Sequence, residues 1–106
     1  MYMHIDIDGL NINYIDEGKG KHVLLLHGWG GSIQTMMPIF NILKDKFRVV
    51  TLDLPGFGDS DIPKEPWNSY DYAECINKFI EKLNLNNIIL FGHSHGGRIS
   101  IILASK

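Results

Sequence analysis

The chain has 106 residues, 44% of them hydrophobic and 21% charged, with a formal net charge of -2 at pH 7. That length holds one domain at most, and this charge balance argues against nucleic acid or an anionic membrane surface as a partner. The lone cysteine, Cys75, has no mate for an internal disulfide, the first ten residues lack a signal-like apolar stretch, and no apolar run is long enough to span a bilayer; the expected setting is the cytoplasm.

Met3, Ile5 and Ile7 alternate with His4, Asp6 and Asp8, which is the periodicity of a strand. Asp8-Gly9 is a two-residue hairpin signal, and Leu10, Ile12 and Tyr14 continue the alternation on a return strand. Residues 16–20 read as a polar turn. Residues 23–26 form a continuous apolar run, as expected of a strand buried on both faces. Gly28-Trp29-Gly30-Gly31 follows, and then a helix with Met36, Met37, Phe40 and Leu43 on one side. Proline is tolerated in a first helical turn, so Pro38 places the start of this helix near Thr35.

Residues 48–52 form the next buried strand, and the Pro-, Gly- and Asp-rich stretch 55–67 is loop. Asp71 and Glu74 make a D-x-x-E capping pattern, with Tyr72, Ile76, Phe79, Ile80 and Leu83 lining one face of the helix behind it. Residues 88–91 are a third buried strand, 92–97 a tight turn, and 98–106 a last helix. A hairpin leading into strands that alternate with helices predicts an α/β fold, its parallel sheet covered by helices. There is no repeat, low-complexity tract or second domain; residues 1–106 read as one unit.

The chemistry concentrates at Gly92-His93-Ser94-His95-Gly96-Gly97, which matches G-x-S-x-G between an apolar strand and a helix. Such a turn strains the backbone at Ser94 and exposes its Oγ. Gly92 and Gly96 are expected to flank it because side chains there would collide with the neighbouring strand or helix. The His95 amide, at the start of the helix, is placed to stabilise developing negative charge. A second amide is needed for an oxyanion hole, and the loop after the third strand supplies one in such enzymes. Here that loop is His27-Gly28-Trp29-Gly30-Gly31: Gly28 and Gly30 are expected to let the backbone fold close to the nucleophile, Trp29 offers its N–H, and its ring offers a pocket wall. His27 is expected to orient the loop by a hydrogen bond.

Competing patterns fail on particular residues. Gly28-x-Gly30 opens a dinucleotide fingerprint, but Ile33 stands where its third glycine belongs. His93-x-His95 starts a metal signature, but Gly96 and Gly97 follow in place of an acid, so neither metal nor cofactor is expected. His93 and His95 are pinned on the turn beside Ser94, where neither imidazole easily reaches its Oγ. His4 and His22 read as surface or strand-end residues.

Three blocks together resemble the N-terminal half of the α/β-hydrolase superfamily: residues 27–31, the segment Asp53-Leu54-Pro55-Gly56-Phe57-Gly58-Asp59-Ser60, and residues 92–98 ending at Arg98. The resemblance covers nearly the whole chain. It implies Ser94 as nucleophile, oxyanion donors at the Trp29 and His95 amides, and bracing of the middle turn by Asp53 and Ser60. Epoxide hydrolases and haloalkane dehalogenases of this fold carry aspartate where Ser94 stands. The family's acid and histidine come later along the chain, so the resemblance implies a partial domain truncated after the nucleophile helix, inactive alone. Its C-terminal strands are absent, one sheet face is bare, and the open edge awaits another chain or copy. The implied reaction is hydrolysis of a small ester through an acyl-enzyme. Thioester, amide or C–C hydrolysis, or a non-catalytic ligand-binding role on the same scaffold, are the alternatives.

Overall fold

The computed structural model describes residues 2–104. Strands β1 (Met3–Ile7) and β2 (Leu10–Glu17) pair antiparallel through a turn at Asp8 and Gly9. Both turn residues have left-handed φ, 50° and 88°, the geometry whose twist matches the flanking strands. β2 is longer than its alternation implies. Asp16 and Glu17, expected in a turn, stay in the strand because they pair with Val50 and Val49 of β4 (Arg48–Leu52). Arg48 adds a two-pronged ion pair, 3.0 and 2.7 Å from the Asp16 carboxylate oxygens.

The remaining elements are β3 (His22–Leu26), α1 (Ile33–Leu43), α2 (Ser69–Lys82), β5 (Ile89–Gly92) and α3 (His95–Ala104). Sheet order is β1-β2-β4-β3-β5, with β3 parallel to both of its neighbours. Side chains alternate between two cores. Leu24, Leu26, Val50 and Leu52 face Tyr72, Ile76 and Phe79 of α2 and Ile99 of α3. Val23, Leu25 and Val49 face Ile33, Met36 and Phe40 of α1 on the other side. Continuous apolar runs in β3 and β4 follow directly from that double burial.

Three boundaries differ from the sequence reading. α1 starts at Ile33, not near Thr35, since the Ser32 hydroxyl accepts from Gln34 N–H and an Asp53 carboxylate oxygen takes Ile33 N–H at 2.7 Å. Pro38 therefore lies beyond the first turn. It removes a donor from the Gln34 carbonyl, but Gln34 and Pro38 are both exposed, where solvent can take that bond. The capping box of α2 is Asn68 with Asp71, three residues ahead of the expected Asp71 and Glu74. α3 begins at His95, inside the segment read as turn, while residues 105 and 106 of the expected helix lie outside the described residues.

β5 is not buried on both faces. Leu90 packs into the α2 and α3 core, but Ile89 and Phe91 are 47% and 45% exposed. They stand opposite Val23 and Leu25, on the α1 side of the sheet, beyond the reach of that helix. The expected bare face thus reduces to this strip, because helices cover β3 and β4 on both sides. An unpaired apolar edge templates association. Replacing Ile89 by Lys should reduce self-association in sedimentation velocity while changing unfolding free energy by no more than about 0.5 kcal/mol, as for other surface positions.

Candidate active site

From β3 the chain crosses over α1 to β4 on one side, and then over α2 to β5 on the other. Such a reversal leaves a crevice beyond the carboxyl ends of the strands, the usual ligand position in open α/β sheets. The loop after β3 and the turn after β5 meet there. Leu26 lies opposite Gly92, and His93 N–H donates to the Leu26 carbonyl at 3.1 Å.

Ser94 is exposed between strand and helix with φ of 56°, in the left-handed region. A non-glycine residue held there costs on the order of 1–3 kcal/mol and persists only under constraint from its surroundings. Here Gly96 N–H donates to the His93 carbonyl at 3.0 Å and Arg98 N–H to the Ser94 carbonyl at 3.1 Å. The glycines behave as expected. A Cβ on Gly92 would lie 2.3 Å from the Gly96 carbonyl oxygen, and one on Gly96 would lie 2.3 Å from that of Leu26. Gly28 approaches from the other loop, where a Cβ would sit 3.0 Å from the Ser94 Cβ and 2.8 Å from the His93 Nδ1. Gly30 makes no such approach: a Cβ there would meet nothing within 4 Å, and its φ of 78° is what favours glycine.

His27 is fully buried behind this contact. Leu54 N–H donates to its Nε2 at 2.9 Å, so the proton sits on Nδ1, which donates to the Gly28 carbonyl at 2.8 Å. The ring thereby joins the loop after β3 to the segment after β4. Burial pulls its pKa below the ordinary 6.5, against opposing effects of the Gly28 hydrogen bond and the Asp53 charge. Asp53, also buried, accepts from Ile33 N–H, Asn13 Nδ2 and Asp59 N–H at 2.7, 3.0 and 2.9 Å. Ser60 Oγ donates to the Asp53 carbonyl and accepts from Asn13 N–H. These two residues brace the turn.

Ser94, Trp29 and His95 share an open cavity of about 620 Å³ with Trp67, Asn68, Ser69 and Arg98. Gly92, Gly96, Gly28 and His27 lie behind that wall. The His95 ring is held edge-on between Trp29 and Tyr72, at centroid distances of 4.9 and 4.8 Å, and its buried Nε2 has no hydrogen-bond partner among the described residues. Burial first, then the charges of Arg98 and His27, lowers its pKa. The sequence places Trp67 at the end of a loop and gives Asn68, Ser69 and Arg98 no part in the site. The only local hint was a large aromatic residue directly ahead of a helix cap. Among the described residues, no cluster of His, Cys, Asp and Glu is placed to hold a metal, and no helix is long and apolar enough to cross a membrane.

Gly96→Ala should cost about 2–3 kcal/mol in urea unfolding, because a backbone carbonyl must move. Gly97→Ala should be tolerated, since its Cβ would meet nothing closer than 3.4 Å. A second expectation concerns pH. The unfolded chain protonates His27 near 6.5 while the folded chain resists, so the stability tied to the neutral ring is present above 6.5 and declines as pH falls below it. Urea midpoints of the parent chain should fall more steeply over that window than those of His27→Gln.

The sequence profile of the α/β hydrolase fold matches residues 21–106. A 2-(acetamidomethylene)succinate hydrolase of Mesorhizobium japonicum is 33% identical over 102 residues, covering 96% of this chain and 37% of its own. A haloalkane dehalogenase of Psychrobacter cryohalolentis is 38% identical over 105 residues, covering 92% of this chain and 34% of its own. A crystal structure of a membrane phospholipase A, described as a bacterial virulence factor, superposes with a TM-score of 0.95 at 30% identity, covering 100% of this chain and 35% of that one. The chain therefore spans little more than a third of the length of these relatives, in keeping with the N-terminal part of such a domain. On sequence and on fold, it belongs to the α/β hydrolase fold family.

Proposed function

We propose that Ser94 is the nucleophile of a serine hydrolase acting on carboxylic esters through an acyl-enzyme. The observation that carries this reading is its left-handed backbone, φ 56°, at a strand-to-helix turn that opens into a cavity. A serine forced into that conformation presents Oγ clear of both flanking elements. The similarity to a haloalkane dehalogenase does not extend to the chemistry we assign, because a hydroxyl and not a carboxylate stands at the turn.

In this mechanism a histidine takes the Ser94 proton as Oγ adds to the ester carbonyl. The tetrahedral intermediate places its oxyanion on the amides of Trp29 and His95. It collapses with loss of the alcohol, which receives the proton. Water, deprotonated by the same histidine, then adds to the acyl-enzyme and releases the acid and free Ser94. Two features support the donors. The His95 amide opens α3, where first-turn N–H groups have no intrahelical acceptor. The Trp29 peptide begins at Gly28, whose backbone is pressed against Ser94.

His27 is a poor base, since both its nitrogens are committed to Leu54 and Gly28. His95 is clamped between two rings. We assign the base and its acid to polypeptide outside these 106 residues, and take the same polypeptide, in this chain or another, to cover the β5 edge. The reaction needs no cofactor, and we place it in the cytoplasm.

A fluorophosphonate probe should label the complete hydrolase, and Ser94→Ala should abolish labelling and ester turnover. Labelling that survives Ser94→Ala sinks the assignment. A non-catalytic binder would show no labelling even with Ser94 intact. The isolated 106-residue chain should hydrolyse p-nitrophenyl acetate slower by a factor on the order of 10⁴ or more, as when a triad histidine is removed.

A further inference from the structure

The cavity in front of Ser94 has a charge imbalance that ester chemistry alone does not require. Its wall carries one cation, Arg98, and no acidic side chain. Arg98 is exposed, and among the described residues its guanidinium has no ion-pair or hydrogen-bond partner. It is not an incidental neighbour. Its N–H donates to the Ser94 carbonyl at 3.1 Å, and its side chain lines the same cavity as Ser94.

The other ionisable group on this wall does not add to the positive charge. His95 is pushed toward its neutral form by burial and by Arg98 itself. Asn68 and Ser69 add polar atoms at the first turn of α2, facing the same space. A planar guanidinium with free donors beside a nucleophile matches a carboxylate, which it can bind through two parallel hydrogen bonds.

We propose that Arg98 is a specificity-determining residue that binds a carboxylate carried by the substrate. The favoured substrates are then short esters that also carry a free carboxylate. This inference rests on Ser94 being the nucleophile only insofar as it names the ester; the carboxylate-binding step stands on its own.

The test compares the complete hydrolase with its Arg98→Gln and Arg98→Lys variants on p-nitrophenyl hemiglutarate, on acetylglycolate, and on neutral p-nitrophenyl butyrate. The first carries its acid on the acyl side, the second on the alcohol side. One anionic ester should be preferred. Arg98→Gln should lower the ratio of its kcat/KM to that of butyrate tenfold or more, chiefly through KM, and Arg98→Lys should fall between. A ratio unchanged by Arg98→Gln, or no preference for either anionic ester, overturns the proposal.

Calorimetry provides a second reading that turnover does not affect. The Ser94→Ala protein should bind the preferred anionic ester at least tenfold tighter than the same ester with its free acid methylated, and adding Arg98→Gln should erase that difference. Equal binding of the two, or a difference that survives Arg98→Gln, counts against Arg98. Ester turnover persisting in Ser94→Ala would instead defeat the nucleophile assignment while leaving the calorimetric result to stand.

Discussion

The backbone of α3 begins so close to the end of β3 that a methyl group on Gly96 would lie 2.3 Å from the Leu26 carbonyl oxygen and 2.7 Å from that of His27. Nothing but hydrogen fits at that point. The same closeness leaves the chain between Gly92 and Gly96 too little room for a relaxed turn, and Ser94 takes up the difference by adopting a left-handed φ. Its exposure follows from the packing of strand and helix, and the cost of the strained residue is met by Ile99 and the apolar side of α3 seated on the sheet.

A second set of contacts holds the opposing loop in place. Asp53 reaches Asn13 within β2, Ile33 at the start of α1, and Asp59 in its own turn. One residue further, Leu54 N–H meets His27, whose other nitrogen holds Gly28. The ends of β3 and β4, the middle of β2 and the start of α1 are thus tied by buried polar bonds to the peptide that abuts Ser94. Buried groups of this kind are costly when half satisfied, so the loop cannot drift without leaving several donors unpaired. Rigidity at the site comes from this lattice, because the loop itself is short and rich in glycine.

Much of this was legible in the residues, and the reasons are local. The hairpin could be read from Asp8-Gly9 and the alternation around it, and β3 and β4 from apolar runs that only double burial explains. The turn at Ser94 was legible because glycine is needed on both sides of it. What escaped was decided across the chain. The start of α1 depends on Asp53, twenty residues away, and the extension of β2 on Arg48. For α2, Asn68 with Asp71 and Asp71 with Glu74 are both sound capping pairs, and local chemistry does not choose between them. Trp67, Asn68 and Ser69 face Ser94 only because α2 packs beside α3, and strand order, which creates the crevice, has no local signature at all.

These observations separate positioning from activation. On the proposed reading, the described residues position a substrate carbonyl through the strained serine, the close approach of the loop at Gly28, the aromatic walls and Arg98. His27 is spent as a structural link, and the His95 ring is held edge-on between Trp29 and Tyr72. Geometry of this quality without a base gives binding and orientation but a hydroxyl at its ordinary, unreactive acidity. On the proposed reading, the part of the site that must be rigid is built from the tightly packed β3, β5 and α3, and the proton transfer is assigned to residues that would pack against the exposed side of β5 at Ile89 and Phe91.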